Sequence, residues 1–314
     1  MKLPKITGRR LVAGLLQIVV LGAFVWAIEH YWGWGRLLSP WSRVSLYLVI
    51  GVVLAQAASY SIRAFRIYQA EKEIPRGRYP DCLRLILINN MTNILLPARA
   101  GEASFPLLFK RWFDIDLAKG SGTLVWLRLL DLSVLAVLAV AVLGRTLVPS
   151  LPLALIVAAV IAGFFLPLLA RPGQSVANRL LATRADGKVT RLIGVFLSGI
   201  PGTSRQVLID LGLTWAAWVI KLAALAAAFF TLADISFPAG ILGAIGGDLS
   251  TVLPIHAPGG FGTYEAGVVA LASVLSKPGP ELLAAAVNLH LLVLSIALVA
   301  GALAWVAPSA RSKR

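Results

Sequence analysis

The chain has 314 residues, of which 58% are hydrophobic and 14% charged, and its mean hydropathy is +0.83. A soluble domain of this length cannot hide so much apolar surface, since ordinary domains carry about 25% charged residues, so the composition is that of an integral membrane protein. The charge is lopsided, 29 Lys and Arg against 14 Asp and Glu for a net +15, which in a membrane protein points to cations held on the cytoplasmic side rather than to nucleic acid.

Crossing roughly 30 Å of hydrocarbon takes about 20 mostly apolar residues. In chain order Leu11 to Ile28 comes first. Lys2, Lys5, Arg9 and Arg10 precede it as they would a signal peptide, but the apolar run is long. An aromatic segment, Tyr31-Trp32-Gly33-Trp34, stands where a small-residue cleavage site would be, so a retained helix is expected. Val44 to Ile62 follows, then Gly120 to Leu143, Leu151 to Ala170, Val207 to Leu232 and Glu281 to Val306, making six spans. Trp32, Trp34 and Trp41 between the first two read as an aromatic belt.

Two apolar segments do not fit as ordinary spans. Leu83 to Leu96 is broken by Pro97-Ala98-Arg99-Ala100-Gly101-Glu102 and resumes only briefly before Lys110-Arg111. Each arm is too short to cross, so residues 83–110 are expected to form a re-entrant hairpin. Residues 237–276 behave similarly around Pro254-Ile255-His256-Ala257-Pro258-Gly259-Gly260-Phe261-Gly262, with two short full crossings as the alternative. With both termini inside, 21 of the 29 cations fall on the cytoplasmic side and four outside, leaving Arg84, Arg99, Arg128 and Lys221 at membrane depth. The expected fold is therefore an all-α polytopic membrane protein with six spans and two oppositely oriented hairpins. Residues 1–143 and 144–314 form the halves of an inverted repeat, an arrangement seen in many secondary transporters.

Irregular backbone at membrane depth must face protein or a water-filled cavity, so both breaks should point into the bundle. The first hairpin carries Asn89 and Asn93 on one helical face, Arg99 at its tip with Pro97 and Gly101, and Glu102 opening the outgoing arm. The second carries Asp248, then Pro254, His256, Pro258 and the turn glycines Gly259, Gly260 and Gly262, then Glu265 in the first turn of the returning arm. Glu102 and Glu265 are positional counterparts, readable equally as helix caps or as groups coupled to substrate or protons. Arg128 and Asp131, three apart, suit an ion pair. Lys221 suits snorkelling or an anionic headgroup. Asp210 is placed near the cytoplasmic end in contact with solvent, and Asn288 and His290 suit interhelical hydrogen bonds. The glycine-rich turn lacks the strand and lysine of a nucleotide loop. Three scattered histidines and the single Cys82 offer neither a metal-ligand spacing nor a disulfide, so no cofactor is expected.

The two tips carry a more specific signal. Asn93-Ile94-Leu95-Leu96-Pro97-Ala98-Arg99-Ala100-Gly101-Glu102 precedes Leu253-Pro254-Ile255-His256-Ala257-Pro258-Gly259-Gly260-Phe261-Gly262-Thr263-Tyr264-Glu265 in the order and at the spacing that the family would have. Together they resemble the lysylphosphatidylglycerol synthase transmembrane family, which includes the flippase-like membrane half of MprF-type proteins and stand-alone relatives. The resemblance covers nearly the whole chain. It implies a multi-pass inner-membrane protein that handles a lipid or lipid-linked glycan, with anionic or aminoacylated phospholipids, hopanoids and polyprenyl carriers as candidate cargo. Many relatives carry a basic residue three positions after the motif glutamate, where this chain has Phe105 and Pro106. MprF-type enzymes also append a soluble aminoacyltransferase domain, and a chain ending just after its last helix is not expected to aminoacylate a lipid. The expectation is a transporter rather than an enzyme, with Arg99 and Lys221 drawing an anionic headgroup. The alternatives are an intramembrane lipid or glycan transferase and a non-catalytic partner of a separate lipid-modifying enzyme.

Overall fold

The computed structural model describes residues 33–96, 101–170, 199–251 and 258–307, with isolated positions in 22–30 and 174–197. Among the described residues every regular element is helical. A short α1 (Trp34–Leu38) and a 3-10 turn (Ser39–Arg43) lead into α2 (Leu46–Ala70), α3 (Tyr79–Leu95), α4 (Ser104–Phe113) and α5 (Leu117–Leu147). After α6 (Leu153–Phe165) come α7 (Ser204–Ala233), α8 (Phe237–Ser250), α9 (Thr263–Ala272) and α10 (Pro280–Val306).

Four helices, α2, α5, α7 and α10, are long and apolar enough to cross a membrane, with 25, 31, 30 and 27 residues. Local chemistry sets their ends. Ser45, Asp116 and Thr203 cap α2, α5 and α7 by accepting the backbone N–H of Leu48, Ala118 and Gln206 at 3.2, 2.8 and 3.2 Å. Asp234 stops α7 in a left-handed conformation at φ 52°. These four contain four of the six expected spans. The expected span at 11–28 lies almost wholly outside the described residues. The one at 151–170 is a 13-residue α-helix that tightens into a 3-10 turn at Leu166–Leu169, where Pro167 has no N–H to give to the helical ladder.

The interrupted segments each form two short helices. α3 and α4 have 17 and 10 residues, α8 and α9 have 14 and 10. At 1.5 Å per residue only α3, at about 26 Å, approaches the hydrocarbon thickness. Close backbone contacts hold both pairs. A Cβ on Gly101 would overlap the Thr92–Asn93 backbone, and one on Gly246 of α8 would overlap the Gly267 carbonyl of α9. Without side chains at these points the helices approach to the distance that dispersion and backbone contacts favour in an apolar medium.

The long helix α7 packs on α2, α5, α8 and α10 and belongs to two apolar clusters. Its C-terminal half (Leu225, Phe229, Leu232) packs with Ala244 and Ile245 of α8, Val268 of α9 and Leu282 of α10. Its N-terminal half (Val207, Leu211) shares a second cluster with Ala64 and Ile67 of α2, Leu85 of α3, Phe105 and Phe109 of α4 and Leu130 of α5. Each pair of short helices thus rests on its own apolar bed, and α7 is common to both.

Gly246→Val therefore forces α8 from α9, an overpacking expected to cost about 1–3 kcal/mol. Gly212→Ala, on an open face of α7 with nothing within 4 Å of the added carbon, is expected to gain up to about 1 kcal/mol of helix propensity. Thermal unfolding in detergent should order the proteins G246V, wild type, G212A from least to most stable.

Candidate functional site: a buried polar cavity between the helix pairs

The charged side chains of the bundle meet across helices. Asp131 of α5 is 2% exposed. Its Oδ1 accepts from Trp218 Nε1 at 3.0 Å and lies 3.4 Å from Arg66 Nη1, while Oδ2 lies 3.5 Å from Arg128 Nη1. Arg128 Nε reaches Glu102 Oε1 at 3.2 Å, and Arg66 also donates to the Thr214 hydroxyl. A chain of charges thus runs from the turn before α4, through α5, to α2 and α7.

The second half has two such links. Lys221 Nζ of α7 lies 2.6 Å from Asp248 Oδ1 of α8. Glu265 Oε2 accepts the Gly262 N–H at 2.7 Å and so caps α9, while its Oε1 meets His290 Nδ1 of α10, also at 2.7 Å. The His290 ring stacks on Tyr264, with centroids 4.3 Å apart, and touches Phe261 at 5.0 Å. Gly259, Gly260 and Gly262 all have positive φ, which lets the chain turn into α9 without a Cβ clash. Asn288 ties α10 to the α1 segment, donating to the Leu37 carbonyl at 2.6 Å and accepting from Trp41 Nε1 at 2.8 Å.

Between these links lies a cavity of about 130 Å³. Asn93, Arg128, Lys221 and Asp248 line it, as do Tyr60, Arg63, Trp218, Tyr264 and His290. Glu265 stands one hydrogen bond away behind His290, and Asp131 and Glu102 stand behind Arg128. Asn89 is engaged inside the first helix pair, donating to Ser104 Oγ at 2.9 Å and the Gly101 carbonyl at 3.2 Å. Arg99, His256, Pro97 and Pro254 lie outside the described residues, as does the side chain of Pro258.

Residues 14–301 match the family model described as the lysylphosphatidylglycerol synthase TM region. The chain belongs to this family. No curated protein and no solved structure matches the chain. The match spans both helix pairs, so the two tip motifs and the polar cavity they flank fall within the lysylphosphatidylglycerol synthase TM region.

Within that region three side chains of the network escaped the sequence reading. Arg63 and Arg66 are readable as loop cations because the apolar run ends at Ile62, yet α2 continues to Ala70 and carries both into the bundle. A signal was present: Gln56, Ser59, Arg63 and Arg66 recur at spacings of three and four, the period of one helical face. Trp218 reads from sequence as one more apolar residue of its span. Asp210, expected in contact with solvent, is 1% exposed and accepts from Gln206 at 2.8 Å, Gln69 at 3.1 Å and Trp126 at 3.3 Å. The amides and indole on three helices satisfy its carboxylate where water was expected to.

Two apolar grooves of the same family region lie along opposite halves of α10. One, of about 490 Å³, lies between α2, α3 and the C-terminal half of α10 (Ile296, Val299, Leu303) and shares Tyr60 with the cavity. The other, of about 580 Å³, lies between the α1 segment, α9 and the N-terminal half of α10 (Leu283, Ala284, Val287), and ends on Glu265 and Gly262.

Because Lys221 and Asp248 are both buried, truncating one strands the other. Lys221→Met is expected to destabilise the protein by about 3–5 kcal/mol, and adding Asp248→Asn should restore much of the loss. Thermal unfolding of the two single variants and the double variant in detergent checks this coupling.

Proposed function

We propose that the protein is a flippase-like transporter of the cell inner membrane that moves an anionic, aminoacylated or polyprenyl-linked lipid between leaflets. The observation that carries this reading is the arrangement along α10: a cavity with polar lining at its middle, an apolar groove that shares Tyr60 with it toward one end, and a second apolar groove toward the other end that ends on Glu265, the partner of the cavity residue His290. With both termini cytoplasmic, the α2/α3/α10 groove faces the inner leaflet and the α1/α9/α10 groove the outer one. A lipid crossing here keeps its acyl chains in hydrocarbon on either side while its headgroup exchanges water for the fixed dipoles and charges of the cavity.

The two pairs of short helices act in this reading as re-entrant hairpins entering from opposite faces, related by the inverted repeat of residues 1–143 and 144–314. Broken helices at mid-depth are where transporters of that architecture place their sites. The proposed activity makes and breaks no covalent bond, and a separate lipid-modifying enzyme would supply any aminoacylated cargo.

Reconstituted vesicles with a panel of labelled lipids should show protein-dependent leaflet exchange for at least one lipid. Ala57→Trp in one groove and Ala284→Trp in the other should each slow it about tenfold or more, equivalent to about 1.4 kcal/mol or more on the barrier. Absence of exchange for every lipid removes the proposal, and a covalently altered lipid product replaces it with a transferase. For the topology, Lys277→Cys in intact cells should react with a membrane-impermeant maleimide, whereas Lys72→Cys should react only after lysis.

A further inference from the structure

Four cations gather at the central cavity, and three of them are matched. Arg66 has Asp131, Arg128 has Glu102 and Asp131, and Lys221 has Asp248. Arg63 is the exception among the described residues. Its guanidinium Cζ lies over the Trp218 ring, 4.5 Å from the centroid, and no carboxylate among the described residues is within direct ion-pairing distance. Asp131, which anchors the rest of the network, already has both oxygens engaged by Arg66, Trp218 and Arg128.

One edge of the guanidinium is left without a hydrogen-bond partner among the described residues. Nε and Nη2, the two nitrogens of that edge, are buried and have no hydrogen-bond partner among the described residues. This is the pair of parallel N–H groups that grips two oxygens of one phosphate or carboxylate. Arg63 as a whole is half-buried, but buried N–H groups left unmet cost free energy that an acceptor, best an anion, recovers. Lys221, with one of its N–H groups directed at Asp248, adds a second cation to the same cavity.

The cavity also offers unmet acceptors. Asp248 Oδ2 and Asn93 Oδ1 are buried without a donor, and Asp248 is 4% exposed. A phosphate that carries an ammonium or hydroxyl a few bonds away matches both sets, the unmet N–H groups and the unmet acceptors, in one ligand. We propose that Arg63 is the oxyanion anchor of a phosphate ligand bearing such a donor, and that Asp248 Oδ2 and Asn93 Oδ1 receive the donor. This deepens the transport reading, on which it rests for taking the phosphate to be that of a lipid headgroup.

Isothermal titration of the purified full-length protein in detergent tests the subsite without any transport step. The probes are phosphoethanolamine, inorganic phosphate, ethanolamine and dihexanoyl-phosphatidylethanolamine. Phosphoethanolamine and the short-chain lipid should bind, and ethanolamine should not. Arg63→Gln should weaken both by about tenfold or more, as expected for loss of a charge-assisted pair of hydrogen bonds. Arg63→Lys keeps the charge but loses the two-pronged edge, should also bind more weakly than the wild type, and carries the test if the Gln variant does not fold. Asn93→Ala should weaken phosphoethanolamine but leave inorganic phosphate unchanged. Wild-type protein that binds no probe, or Arg63 variants that bind like the wild type, overturn the proposal. Inorganic phosphate binding as tightly as the short-chain lipid overturns the headgroup assignment. Arg63-dependent binding without leaflet exchange would remove the transport reading and keep the subsite, whereas exchange untouched by Arg63→Lys would do the reverse.

Discussion

Burying a charge in a low-dielectric interior is tolerable only when an opposite charge or a set of donors meets it, and here those meetings join different helices. Glu102, in the turn before α4, holds Arg128 of α5; Asp248 of α8 holds Lys221 of α7; Glu265 of α9 holds His290 of α10. In each case one partner belongs to an interrupted segment and the other to a long helix. The helices of the interrupted segments have only 10 to 17 residues, so apolar packing on neighbouring helices and these polar links together fix their depth and rotation. The polar links contribute because any rotation that separates a pair leaves polar or charged groups in the bundle without their partners.

The polar links and the apolar packing divide the work. Leu85, Phe105 and Phe109 seat the first helix pair, and Ala244, Ile245 and Val268 the second, against opposite halves of α7. Between the two beds the polar side chains have nowhere to go but toward one another, and the cavity lies where they converge. Gly101, and the Gly246–Gly267 contact, let backbone approach backbone at both pairs. A bundle built this way carries apolar grooves and a polar cavity along the same helix, α10.

Much was legible in the residues alone. Apolar runs of sufficient length marked α2, α5, α7 and α10, and proline and glycine marked both interruptions, because span length and backbone chemistry are local properties. The tip motifs placed the chain in the lysylphosphatidylglycerol synthase TM family. Arg128 and Asp131 were readable as partners because they sit three apart on one helix. Lys221 was recognisable as a cation at depth, but its partner Asp248 is 27 positions away, and helical spacing relates only residues on the same helix.

Which faces turn inward was decided only in three dimensions. In water the hydrophobic effect drives the apolar face of a helix inward, so periodicity reveals it. In a bilayer, lipid tails are as apolar as leucine and that signal fades. Arg63 and Arg66 therefore look like loop cations until the bundle shows α2 carrying them against Trp218 and Asp131, 155 and 65 positions away. Asp210 looks solvated until Gln69, Trp126 and Gln206 close over it. The sequence by itself determined that this is a membrane protein, where its long helices run, where they break and to which family it belongs. Tertiary structure alone decided which charges meet, and that Arg63 lies against Trp218 with two guanidinium nitrogens lacking a hydrogen-bond partner among the described residues, because ion pairing is a property of distance in space and not of position along the chain.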